Sequence, residues 1–285
     1  MTNLAPSPAR QQVAAPTKKQ VQLTEKISLK HHTDEVWDVC FSHNGMRLAS
    51  SGADMTTIIY SVDTFEVLHS LEGHSAGIGS VSWSPDDSKI VTCSQDFTAT
   101  LWDTTTGKSL QTLTGFNGPV TSCVWLPSSQ EFVTTALSCL ESCMSLCLWS
   151  ASSTHPVCKF PVRAPLLGCV LLPDKKIASF DNKRNVYVHD LDLKQQVELR
   201  KVDMDLSSMC VSELGKPHAL MLRNDGWIEM IDVRSMDMMT NMVKVFKMKN
   251  YGTFVIKATF GGEDEEFVAS GSEGKFLPHG NLVRD

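Results

Sequence analysis

The chain has 285 residues, 42% hydrophobic and 20% charged, enough to close one large domain around a buried core. Its formal net charge is −6, and no basic stripe gathers outside the N-terminal residues. That argues against a nucleic-acid surface, because phosphate binding is driven by clustered Lys and Arg. No run approaches the roughly 20 apolar residues that cross a bilayer, and the N-terminus lacks the apolar core of a secretory signal. The nine cysteines, an odd number, sit mostly in apolar strand patterns, as Cys40, Cys123 and Cys169 do. They read as small buried thiols of a reducing compartment, so a cytoplasmic or nucleocytoplasmic protein is expected.

Residues 1–24, rich in Pro, Ala, Gln and Ser, are expected to form a disordered tail. The apolar residues Val21, Leu23, Ile27 and Leu29 then alternate imperfectly, as in an edge strand. From there a step of 42 residues governs the chain. Val36, Val39 and Phe41 return as Ile78, Val81 and Trp83, and again as Val120, Cys123 and Trp125. His32 returns as His74, Leu48 as Ile90 and Phe132, Asp54 as Asp96, and Tyr60-Ser61 as Trp102-Asp103. In the second unit Gly73-His74 opens the repeat and Ile78 to Trp83 forms the innermost strand. Pro85-Asp86-Asp87 makes a turn, Lys89 to Ser94 a second strand, and Thr98 to Trp102 a third behind the turn residue Asp96. A fixed period of about 40–45 residues with Gly-His and Trp-Asp signposts marks the WD40-type β-propeller, whose four-stranded blades bury their faces only by stacking.

The Trp-Asp positions fall at Tyr60, Trp102, Trp149, His189 and Ile231, at intervals of 42, 47, 40 and 42. The longer interval places a five-residue insertion between Ala136 and Cys147, where the third repeat loses its turn Asp. Repeats four and five keep mainly the inner-strand pattern, Leu166, Cys169, Leu171 and Leu206, Met209, Val211. A sixth starts with Val255, Ala258 and Phe260 and runs on through Phe267 to Gly274. The expectation is an all-β propeller over residues 25–274, with five complete blades and part of a sixth, the ring left incomplete in this chain. Residues 275–285 are expected to be an irregular C-terminal tail.

His74, Ser94, Asp96 and Trp102 are spaced to form a buried hydrogen-bonded tetrad in which the imidazole links the turn carboxylate to a strand hydroxyl and the indole N–H. A His–Asp pair beside a Ser resembles a nucleophilic triad, but recurrence of these positions across repeats favours structure, and no catalytic residue is assigned. Cys139, Cys143 and Cys147 share one strand face without an evident fourth ligand, and Met236, Met238, Met239, Met242 and Met248 read as adaptable apolar filler. No metal and no cofactor are expected. Trp37 follows the inward Val36 at the place from which a propeller points side chains at its central entrance. Its counterparts Gly79 and Thr121 are small, and Glu35 rims the same opening. These four are the candidate partner-binding residues, with Trp37 as the aromatic anchor.

The second repeat, LEGHSAGIGSVSWSPDD followed by ATLWD, fits many WD-repeat proteins. Two flanking segments narrow the resemblance: HHTDEVWDVCFSHNGMRLASSGAD from His31 and FVIKATFGGEDEEFVASGSEG from Phe254. Both resemble repeats of the scaffold and substrate-recruiting WD-repeat subunit of the GID/CTLH ubiquitin ligase. The likeness covers roughly Leu23 to Gly274, closely at both ends and loosely between Ala136 and Asn250. It implies a non-catalytic protein that binds other ligase subunits and substrates. The LisH and CTLH helical segments and the final repeats of that family have no counterpart in this sequence. A general WD-repeat adaptor in another signalling or degradation pathway is the alternative.

Overall fold

The computed structural model describes residues 27–138, 144–162, 164–202, 205–212, 216, 218–233, 242–247, 257–261 and 267–270. Among them every regular element is a strand, and no helix is long and apolar enough to cross a membrane. The expected tails, 1–24 and 275–285, lie outside these residues. So does most of the expected edge strand, and its described part, residues 27–29, carries no strand.

Five four-stranded antiparallel meanders follow one another. The first holds β1 (Val36–Phe41), β2 (Arg47–Gly52), β3 (Thr57–Ser61) and β4 (Val67–Leu71). The second holds β5 (Ile78–Trp83), β6 (Lys89–Ser94), β7 (Ala99–Asp103) and β8 (Ser109–Leu113). In the third, β9 (Val120–Trp125), β10 (Glu131–Ala136), β11 (Leu146–Ser150) and β12 (Pro156–Phe160) place the insertion between β10 and β11, where the repeat spacing put it. The fourth comprises β13 (Leu166–Leu172), β14 (Lys176–Asp181), β15 (Asn185–Asp190) and β16 (Gln195–Lys201). The fifth comprises β17 (Leu206–Val211), β18 (His218–Arg223), β19 (Trp227–Asp232) and β20 (Met242–Lys247). A hairpin of β21 (Ala258–Gly261) and β22 (Phe267–Ser270) begins a sixth. The chain is thus a WD40-type β-propeller with five complete blades and part of a sixth.

Burial along each strand follows from this stacking. The middle strands β6, β10 and β14 are buried at five of six positions, because sheets cover both of their faces. The outer strands β4 and β8 are exposed over most of their length. Hairpin turns repeat too: Gly45, Asp87, Ser129 and Asp174 all take the left-handed conformation at the same place in successive blades.

Adjoining blades are hooked together by side chains reaching backbone. The Trp83 indole N–H donates to the Cys40 carbonyl at 3.0 Å, and Trp125 repeats the bond to Ser82 at 3.1 Å. Arg47 lies over the Trp83 ring, 4.9 Å from its centre, and donates to the Asp87 carbonyl at 2.9 Å. Asp87 in turn accepts the backbone N–H groups of His43 and Asn44, at 2.8 and 3.0 Å.

One face breaks the pattern. Ile78, Val81 and Trp83 of β5 are 0, 4 and 2% exposed, packed on the preceding blade, whereas their counterparts Val36, Val39 and Phe41 on β1 are 48, 60 and 60% exposed. Among the described residues no blade covers this face of β1. The difference predicts unequal costs for equivalent truncations. Trp83→Ala should destabilise the protein by about 3–5 kcal/mol, the range of buried aromatic deletions, while Phe41→Ala should stay within about 1 kcal/mol. Denaturant unfolding of the two variants checks this.

Candidate partner-binding entrance and the buried tetrads

In each meander the antiparallel order returns the chain to one end of the blade at the start of the innermost strand and again at the turn between the second and third strands. The entrance candidates and the tetrad turns therefore share that end. His74 is buried there, with a side chain 1% exposed. Its Nδ1–H donates to Asp96 Oδ2 at 2.8 Å, leaving Nε2 to accept the Thr92 hydroxyl at 2.8 Å. The same Thr92 oxygen accepts the Trp102 indole N–H at 2.9 Å. Burial alone would raise the pKa of Asp96, but hydrogen bonds from Thr98, the Ser75 N–H and His74 outweigh it and hold the carboxylate below its ordinary range.

The strand hydroxyl of the tetrad is thus Thr92, which corrects the expectation of Ser94. Ser94 donates instead to the carbonyls of Ala76 and Gly77, at 3.0 and 3.1 Å, and accepts the Asp96 N–H at 3.1 Å. Both side chains lie on one face of β6, two residues apart. Pairing of Ile90 with Trp102 brings the indole beside Thr92.

The first blade builds the same network from His32, Ser50 and Asp54, with His32 to Asp54 at 2.8 Å and to Ser50 at 2.7 Å. In the third, Phe116 packs against Trp149, whose indole donates to Thr134 at 2.8 Å. In the fourth, His189 takes the Trp position and meets Ser179 at 3.3 Å, while its Nδ1 is buried with no partner. The fifth is apolar, with Met221 and Ile231 buried. Its turn residue Asp225 pairs with Arg223 instead of a histidine. The resemblance to a nucleophilic triad fails on geometry, since the Thr92 hydroxyl is 0% exposed and engaged by His74 and Trp102.

Around the entrance, Trp37 is half-buried and its indole N–H donates to the exposed Glu35 carboxylate at 3.2 Å. Its ring packs against Gly77, where a Cβ would sit 2.3 Å from the ring, so the next blade can seat this aromatic only on glycine. Gly79 faces open space, with nothing within 4 Å of a Cβ built on it. Thr121 is partly exposed, its hydroxyl donating to the Leu166 carbonyl at 2.9 Å and lying 2.9 Å from that of Thr135.

Two residues on the same end escaped the sequence reasoning. Met55 and Phe97, 42 and 46% exposed, occupy left-handed turn positions with φ of 64° and 67°. Each directly follows a turn aspartate, and this 42-residue coincidence of a large apolar side chain where turns favour Gly or Asn was the available signal.

Of the cysteine run, Cys139 and Cys143 lie outside the described residues. Cys147 is fully buried, and burial pushes its thiol up to about 12. Among the described residues no group of three or more potential metal ligands is gathered. Met236, Met238, Met239 and Met248 also lie outside them, as does the Met242 side chain.

Residues 23–61, 65–103 and 107–150 match the family described as WD domain, G-beta repeat. The chain is 39% identical over 51 residues to apoptotic protease-activating factor 1 of Mus musculus, covering 18% of this chain and 4% of that protein. It is 48% identical over 48 residues to the WD repeat-containing protein 26 homolog of Arabidopsis thaliana, 16% of this chain and 8% of that protein. A WD repeat-containing protein of Dictyostelium discoideum matches at the same identity over the same length. The chain therefore spans under a tenth of the length of these relatives.

Two stability outcomes follow. Thr92→Val keeps the shape but strands His74 and Trp102, and should cost about 1–3 kcal/mol, while Thr92→Ser should cost well under half of that. Thermal melts of both variants read the difference. His189 is held neutral by burial, its pKa falling from 6.5 to about 4. The unfolded chain takes up this proton first, so stability is lost as pH falls through the window from 6.5 to 4. The loss amounts to at most about 3 kcal/mol. His189→Phe should flatten that part of the curve of unfolding free energy against pH.

Proposed function

We propose that this chain, a WD40-repeat β-propeller protein, is a non-catalytic scaffold that recruits protein partners through the entrance beside Trp37. The observation that carries this reading is Trp37 itself. An aromatic held on Gly77 and fixed by Glu35 is an anchor whose ordering cost is met before a partner arrives. Met55 and Phe97 extend the apolar surface on the same end, and Glu35 gives it a negative rim suited to a basic neighbour in the partner.

The assembly that the sequence resemblance favours is a ubiquitin ligase of the GID/CTLH type, in the cytoplasm and also the nucleus, with this protein bringing substrates to the catalytic subunits. Support comes from the segments beginning at His31 and Phe254. The second reading, an adaptor in another pathway, is favoured by the comparable match to apoptotic protease-activating factor 1, since it shows how widely these repeats are shared.

The test compares three variants by affinity capture from cell extract and circular dichroism. Trp37→Ala should weaken capture by about 30-fold or more, the loss expected of an interface hot spot, with an unchanged spectrum. Gly77→Ala should do the same by displacing the ring without removing it. Glu35→Lys should lower the association rate and its salt dependence. Recovery of RING and CTLH-type subunits supports the ligase reading, and a consistent set of other partners supports the adaptor. Normal capture by normally folded Trp37→Ala rules out this entrance.

A further inference from the structure

Each innermost strand carries one residue directly before its inward-pointing position. In order these are Asp38, Ser80, Ser122, Gly168, Ser208 and Lys257, preceding Val39, Val81, Cys123, Cys169, Met209 and Ala258. Strand register fixes the equivalence, because the following residues pair with Ser50, Thr92, Thr134, Ser179, Met221 and Ser270 respectively. Where this position is polar it can tie one blade to the next. Asp38 Oδ2 accepts the Val81 N–H at 3.0 Å, and Ser208 Oγ accepts the Ala258 N–H at 3.3 Å, each reaching the following innermost strand.

At the same position of the sixth strand stands Lys257. Its Nζ lies 2.7 Å from Asp38 Oδ2, so the contact runs from the sixth blade back to the first. No described strand of the sixth blade pairs with one of the first.

We infer that Asp38 and Lys257 form a clasp that ties the sixth blade to the first, through a side-chain ion pair at the position that elsewhere hooks consecutive blades. The Asp38 carboxylate is built for it. Its side chain is 7% exposed and receives the Val39 N–H on Oδ1 at 3.0 Å, with Val81 N–H and the Lys257 ammonium on Oδ2. Two amides and a cation compensate the desolvation of a nearly buried charge, and removing the cation leaves it under-compensated. Because Lys257 is half exposed, salt reaches the pair and weakens it, so the seam responds to ionic strength while the apolar interfaces of the other blades do not. The clasp is independent of whether the entrance recruits partners.

Hydrogen–deuterium exchange on the full chain tests this, read peptide by peptide by mass spectrometry. Lys257→Met keeps the aliphatic stem and leaves the Asp38–Val81 bond in place. It should speed exchange of Ala258–Gly261 and Phe267–Ser270 by about tenfold, the scale of a lost partner to a buried charge, while peptides of the second and third blades stay at the wild-type rate. Lys257→Arg should restore protection. Asp38→Asn should loosen the same strands as Lys257→Met, and the double variant should be no worse than either, since both remove one interaction. Raising sodium chloride from about 0.05 M to about 0.5 M should loosen these strands in the wild type and add nothing in Lys257→Met. Protection of the sixth hairpin unchanged in Lys257→Met, or additive losses in the double variant, would overturn the clasp.

Discussion

Everything in this molecule depends on one constraint: a four-stranded antiparallel blade has two apolar faces and can satisfy neither alone. The chain answers it by seating the inward positions of an innermost strand on the preceding blade, as Ile78, Val81 and Trp83 seat on the first. Hydrophobic burial supplies the drive and does not choose an orientation. Orientation comes from polar hooks at the edge of each apolar contact, where Trp83 and Trp125 reach the carbonyls of Cys40 and Ser82. The residues at the Asp38 position repeat this logic nearer the axis.

The buried tetrads show how a polar network decays along a repeat. Blades one and two keep a histidine, a turn aspartate and a strand hydroxyl, every member satisfied. The third replaces the histidine with Phe116 and keeps only the indole-to-threonine bond. The fifth abandons polarity for Met221 and Ile231. Both ends of this series are sound, because a fully satisfied network and a dry core each avoid stranded polar atoms. The fourth blade lies between them, with His189 Nδ1 buried and unpartnered, so that protonating this imidazole in acid works against the fold.

At the candidate entrance one aromatic is fixed from two sides. Trp37 is held by the two blades it bridges, resting on Gly77 of the second and bonded to Glu35 of the first. A side chain fixed in this way exposes an aromatic edge without the entropy loss of ordering a loop on contact. The open face of β1, with Val36, Val39 and Phe41, is a different feature, bearing no aromatic pinned in this way.

The sequence by itself determined the blades: a step of 42 residues placed the innermost strands, the turns and the insertion between Ala136 and Cys147, because stacked identical units need the same side chain at the same register. It also offered Trp37 as a candidate, since small residues at 79 and 121 make the aromatic stand out. Tertiary structure alone decided which hydroxyl joins the tetrad, for Thr92 and Ser94 share a strand face and only cross-strand register brings Trp102 to the first. It alone tied Thr121 to a carbonyl 45 residues away, and left Val36, Val39 and Phe41 exposed where the same pattern in the next blade is buried. It alone brought Lys257 to Asp38. Periodicity records what each blade has in common, whereas these contacts join blades, and a repeat carries no signal for a contact between its first and sixth copies.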